Sequence, residues 1–117
     1  MTHVHDPAEL PIDYVAAFNS GDPTAVDDLY EEHAVLVPGP GNPATGNQRR
    51  AATEHLLGLG QPMRATPRHV YTAGDTALVV VDWTLPGSHL SGTAADVLRR
   101  DADGRWRYLI DNPFGTA

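Results

Sequence analysis

The sequence contains no cysteine and no lysine. The first absence excludes disulfides, zinc–thiolate sites and thiol nucleophiles, and makes a reducing compartment the default expectation. The second leaves arginine as the sole strong base. All eight basic residues are Arg, against fifteen acidic ones, for a net charge of −7. A surface of that sign does not attract nucleic acid or an anionic membrane, so neither is expected as a partner. Long apolar runs are missing too. The longest, "ALVVV" at residues 77–81, falls far short of the ~20 residues that cross a bilayer. The opening "MTHVHDPAEL" has neither the basic nor the apolar region of a signal peptide. A cytoplasmic protein is the expectation.

What is present fits one domain, 1–117, with the first six residues expected to be flexible. No repeat, linker or low-complexity tract divides the chain. "DPAELPIDYVAAFNSGD" opens with Asp6 as N-cap and Pro7 at N1. Leu10, Tyr14, Ala17 and Phe18 share one face at helical spacing, and Pro11 suggests that the regular helix begins there. Asp22-Pro23 repeats the start signal for a second helix to about Glu31. "HAVLVP" (33–38) reads as a strand and "GPGNPATG" (39–46) as a loop. Asn47 can cap a third helix to about Leu59, with Ala52, Leu56 and Leu59 inward. Four strands follow near 63–72, 76–85, 91–100 and 105–112. Segregated helices and strands indicate an α+β domain with helices over one face of a curved sheet. Most of the early acidic residues are expected on the solvated faces of the N-terminal helices.

One residue stands out in the hairpin "AADVLRRDADGRWRYLIDNPFG". Asp96 sits mid-strand among small and apolar residues, where Asp is depleted and its charge costly. "DADG" suits a three-residue loop with Gly104 in the left-handed conformation. That register sets Leu98 against Tyr108 and Asp96 against Ile110, with Asp96, Leu98, Trp106, Tyr108 and Ile110 on one face. A two-residue loop would instead set Asp96 beside Asp111. The first register raises the Asp96 pKa by burial and leaves a neutral donor; the second makes two carboxyls compete for one proton. The structural alternative is that Asp96 bonds a backbone amide, Arg49 or Arg50.

The element order, "YVAAFNSGDPTAVDDLYEEHAVLVP" and "AADVLRRDADGRWRYLIDNPF" resemble the nuclear transport factor 2-like superfamily, in its SnoaL-like and ketosteroid-isomerase-like branch. The resemblance spans nearly the whole chain. It implies a cone: a curved antiparallel sheet covered by three N-terminal helices, around an apolar pocket. It also implies a homodimer formed through the outer sheet face. In ketosteroid isomerases a helix tyrosine and a protonated strand aspartate form the oxyanion hole, worth roughly 3 kcal/mol per donor. Tyr14 and Asp96 occupy the matching positions. The isomerase's base precedes a proline on the first strand, where this chain has Val37, so steroid isomerisation is not expected.

The resemblance thus implies a protein that binds an apolar, oxygen-bearing small molecule, with isomerase- or cyclase-type proton transfer. A non-catalytic binding or dimerisation module is the alternative. Tyr14, Asp96 and Asp111 are the candidate catalytic residues, Asp111 having the alternative role of capping the Asn112-Pro113 turn. Phe18, Val37, His55, Trp83, Leu98 and Tyr108 are the candidate pocket residues. His33 and His55 could serve as bases, because an imidazole ordinarily titrates near neutral pH, although core or surface roles are the simpler reading. Asp82 could pair with an arginine on the opposite face from Trp83. No cofactor is implied. The histidines, including the "HVH" of His3 and His5, show no metal-ligand spacing.

Overall fold

The computed structural model describes residues 6–117; His3, His5 and, Asp6 apart, the residues expected to be flexible lie outside them. Asp6 accepts a hydrogen bond from the Ala8 amide at 2.9 Å and caps a 3-10 turn, Pro7–Glu9. Helix α1, Leu10–Ser20, follows, with Pro11 in the first turn, where no amide proton is required. Asp22 then caps α2 at the Thr24 amide, 2.9 Å away. This helix, Pro23–Asp27, is much shorter than expected. The chain turns into strand β1, Tyr30–Gly39, because Tyr30, Ala34 and Leu36 can be buried against the sheet. Sheet pairing outweighs helix propensity over residues 30–31. The expected loop contains a short strand β2, Asn42–Ala44, which pairs back on β1.

Helix α3 spans Gly46–Leu57, with Thr45 rather than Asn47 at its N-cap position. Its fully buried residues are Arg49 and Thr53; of the expected apolar stripe, Ala52 and Leu56 are half-buried on the same face and Leu56 packs against the core. Leu59 lies beyond its end and is exposed. The inward stripe goes to Arg49 because Asp27 on α2 receives its Nη1 at 2.7 Å. Strands β3 (Arg64–Ala73), β4 (Thr76–Thr84), β5 (Ser91–Arg100) and β6 (Trp106–Asp111) complete one sheet in the order β2-β1-β6-β5-β4-β3. The sheet is curved and unclosed, and its pairs are antiparallel except β1 with β6. At one end of α1, Asn19 exchanges two hydrogen bonds with the Met63 backbone, at 3.1 and 2.7 Å. Leu10, Phe18, Val26, Val79 and Leu98 form part of the core between helices and sheet.

The β5–β6 hairpin decides where the acids point. Its loop is the three-residue form: the Gly104 amide donates to Asp101 O at 3.0 Å and the Asp101 amide to Arg105 O at 2.9 Å. Gly104 has φ +80°, which an L side chain rarely adopts. Leu98 faces Tyr108, as the first register requires. The next pair is Val97 with Ile110, so β6 carries one extra residue, Leu109, as a bulge. Past the bulge the faces exchange. Ile110 turns outward, 38% exposed, against the expectation that it shares the inner face. Asp111 turns inward and is buried beside Asp96. Each register is realised in one half of the hairpin.

Candidate functional site

Helix α1, the concave face of the sheet and the C-terminal segment enclose a cavity of about 130 Å³. Its polar lining comes from Tyr14 on α1, Asp96 on β5, and Tyr108 and Asp111 on β6. The remaining wall is largely apolar and includes Leu36, Met63, Val81, Leu85 and Phe114.

Asp96 and Asp111, both buried, sit side by side on β5 and β6 as a carboxyl pair within reach of one shared hydrogen bond. Such a bond requires one proton between them. Burial pushes the Asp96 pKa well up, and the neighbouring negative charge of Asp111 raises it further. Burial also raises Asp111, but three neighbours oppose the rise: hydrogen bonds from Tyr30 and Asp96, and the positive charge of Arg49. The proton therefore resides on Asp96 and the charge on Asp111. Asp96 Oδ1 also accepts from the Asn112 amide at 2.9 Å. The structural alternative for Asp96 is thus met by a backbone amide. Arg49 and Arg50 bind Asp27 instead, at 2.7 and 3.3 Å.

Behind the acids stands an aromatic cluster. Tyr30 donates its hydroxyl proton to Asp111 Oδ2. The Tyr30 ring packs 5.3 Å from that of Tyr108, and Tyr14 meets both edge-on, at 6.3 and 5.6 Å. The guanidinium of Arg49, 1% exposed, lies 4.5 Å from the Tyr30 ring centre. Burial, foremost, and the charge of Asp111 raise the pKa of all three phenols, so each remains a neutral donor. The Tyr108 hydroxyl has no hydrogen-bond partner among the described residues, although Tyr108 is 3% exposed and lines the cavity.

The C-terminal segment closes one side. The Ala95 amide donates to Asn112 O at 2.9 Å, and Asn112 Nδ2 donates to Gly115 O at 2.7 Å. A Cβ on Gly115 would stand 2.5 Å from Thr93 O, so the close crossing over β5 needs glycine. Pro113 and Phe114 are thereby set against the cavity. Trp83 Nε1 donates to Pro113 O at 2.7 Å, which commits the indole proton to this closure.

The structure brings Tyr14, Asp96, Asp111, Trp83 and Tyr108 to the cavity wall. It does not bring four other expected residues there. Phe18 and Leu98 are core, buried behind the lining. Val37 is half-buried on β1, where its neighbours Leu36 and Pro38 line the cavity instead. Strand alternation turns position 37 away from them. His55 is exposed on α3, as is His33 on β1, so neither reaches the site. Asp111 does not cap the C-terminal turn; Asn112 does. Asp82 pairs with Arg68 at 2.7 Å, as expected for the opposite face. Sequence reasoning missed Tyr30 and Arg49. Tyr30 was assigned to a helix end, and β1 is irregular between the pairs Tyr30–Tyr108 and Val35–Ile110. The signal for Arg49 was an acidic residue, Asp27, one short helix upstream. Among the described residues no cluster of His, Asp and Glu could hold a metal ion, and no helix is long and apolar enough to cross a membrane.

A curved sheet with helices over its concave face, and buried acids and phenols inside, defines a small α+β domain built around an internal pocket. The model of the SnoaL-like domain family matches residues 12–109. The chain belongs to that family, a branch of the nuclear transport factor 2-like superfamily. Similar solved structures include a candidate calcium/calmodulin-dependent protein kinase type II association domain from Thiobacillus denitrificans. That likeness has 17% identity, a TM-score of 0.79 and full coverage, 100%, of both chains. A ketosteroid isomerase-like protein from Erwinia carotovora atroseptica is 26% identical over 87% of each chain, with a TM-score of 0.58. A candidate dehydratase of the NTF2-like family from Streptomyces avermitilis is 17% identical over 87% of each chain, with a TM-score of 0.71. No curated protein matches the chain significantly.

Proposed function

We propose that the chain binds an apolar, oxygen-bearing small molecule in this cavity and transfers a proton on it, as an isomerase, cyclase or dehydratase does. The observation that carries the reading is the carboxyl pair: two acids in a greasy hollow, one protonated and one charged. Environments that push two acids apart commonly assign the roles of acid and base. Asp111 is the base. Its carboxylate takes a proton from the carbon beside a ligand carbonyl while a phenol, Tyr14 or Tyr108, donates a hydrogen bond to the carbonyl oxygen. Return of the proton at another carbon regenerates the carboxylate and leaves an isomer. Steroid isomerisation of the usual kind is not proposed, because Val37 neither is an acid nor lines the cavity. The likeness to the ketosteroid isomerase-like protein and to the candidate dehydratase supports the reaction class.

The test is NMR detection of hydrogen–deuterium exchange beside the carbonyl of cyclic ketones bound to the full chain. Wild type is expected to catalyse exchange, and Asp111→Asn to slow it about 10²–10⁴-fold with binding retained. Tyr14→Phe is expected to weaken binding about tenfold. Binding without exchange in wild type would favour the non-catalytic module. No binding of any ketone would remove the pocket reading.

The outer sheet face supports a homodimer. Tyr71, Leu78, Val97, Ile110 and Val35 are cross-strand neighbours in one row over five strands. Tyr71, Leu78 and Ile110 are 59%, 39% and 38% exposed. Contiguous apolar surface of this kind marks association sites, and a second copy offers a complementary face by two-fold symmetry. The association domain among the similar structures is in keeping with this. Sedimentation is expected to show a dimer for wild type and a folded monomer for Val97→Arg; a monomeric wild type at micromolar concentration overturns the reading.

A further inference from the structure

Resting on the pocket reading above, we infer that the ligand is an uncharged molecule of single-ring size with one oxygen at its edge, such as a cyclohexenone, a cyclohexanol or a phenol. Three features of the cavity lead there.

The first is volume. The cavity holds about 130 Å³, and a dry protein cavity of about 150 Å³ accepts a benzene ring. A four-ring skeleton exceeds that space and would have to project through the open side of the pocket. Pro113 and Phe114 stand against it from the C-terminal segment, and that segment is pinned by Trp83 and by the Gly115 crossing. Accommodating a larger ligand would mean breaking those contacts.

The second is charge. Among the described residues no cation lines the cavity. Arg49 lies behind Tyr30 and spends its Nη1 on Asp27. A carboxylate or phosphate would meet the Asp111 charge with nothing to compensate it. An ammonium would find that carboxylate already holding hydrogen bonds from Tyr30 and Asp96, and would lose its water against an apolar wall.

The third is the placement of donors. The polar groups are confined to α1, β5 and β6, and the wall from β3, β4 and the C-terminal segment is hydrocarbon apart from the committed Trp83 indole. Tyr108 lines the cavity and its hydroxyl bonds no acceptor among the described residues, so it is available to donate to one ligand oxygen. A second polar group elsewhere on the ligand would find no counterpart.

The experiment is an NMR titration of the full chain with 2-cyclohexenone, phenol, benzoate, cyclohexylammonium and a four-ring steroid ketone. Cyclohexenone and phenol are expected to saturate and to shift the resonances of Tyr14 and Tyr108. Benzoate and cyclohexylammonium are expected to bind at least roughly tenfold more weakly. The steroid ketone is expected not to bind. Ala94→Leu, which fills the cavity, should abolish cyclohexenone binding. Ala65→Leu, at a half-buried lining position, tests the same point if the first variant fails to fold. Steroid binding as tight as that of the single rings, or equal affinity for the charged rings, overturns this inference and leaves the pocket reading standing. A chain that binds none of the five ligands overturns both.

Discussion

Arg49→Ala is expected to lower the unfolding free energy by about 2–5 kcal/mol, the range for truncating a large buried side chain, because Asp27 is 35% exposed and keeps Arg50. Arg49 is 1% exposed, and its guanidinium holds Asp27 at 2.7 Å while covering the Tyr30 ring at 4.5 Å. Truncation leaves a void under that ring and takes away the positive charge that helps keep Asp111 ionised. Arg49→Met separates the two losses. It keeps most of the stem, so part of the stability should return. The charge does not return, and the Asp111 pKa should rise. A folded-state pKa raised above the unfolded one favours folding only while the group is protonated. Arg49→Met should therefore lose stability with rising pH more steeply than wild type. Urea denaturation across the acid to neutral range measures both effects. Equal slopes for the two proteins would show that the Arg49 charge does not reach Asp111.

Asp96→Asn is expected to stabilise the protein at neutral and alkaline pH. The amide is isosteric: its oxygen can accept from the Asn112 amide, and its nitrogen can donate to Asp111. Neither requires a proton that solvent wants to remove. In wild type the folded Asp96 pKa lies above its ordinary value of 3.8. Between these values the folded protein binds more protons than the unfolded chain, so stability falls as pH rises through that window and then levels off. The variant lacks this fall. Its advantage should be on the order of 1–2 kcal/mol at about pH 8 and vanish towards about pH 4. Thermal melts at several pH values test this. A gain of the same size at every pH would mean that Asp96 does not titrate in that window.

Much of this was legible in the chain itself. Asp6, Asp22 and "DADG" each specify a local geometry through one side chain or one glycine, and each behaves as its chemistry dictates. Strand content and order followed from alternation and turns. Where long-range contacts decide, the reading failed. Helix α2 is short because Tyr30 finds partners on β6, far along the chain. The inward face of α3 was legible through Ala52 and Leu56, but Arg49 on it was not, because a paired arginine can be buried as fully as leucine and an apolar stripe carries no sign of an ion-pair partner. Val37 and Leu36 differ in role by a single step of the pleat. Pro113 and Phe114 reach the cavity through a carbonyl that only the Trp83 indole explains, and no local pattern announces that contact.

The bulge at Leu109 has an evolutionary reach beyond this hairpin. It makes the interior a matter of arithmetic: the surplus residue in β6 decides whether position 111 or position 110 looks inward. Regular pairing of the same residues, without the bulge, would swap an acid for an isoleucine inside and plant a carboxylate on the flat exterior. Both acids would still be encoded, yet the chemistry would vanish. Relatives that pair the same strand without this bulge can change trade without altering any catalytic letter.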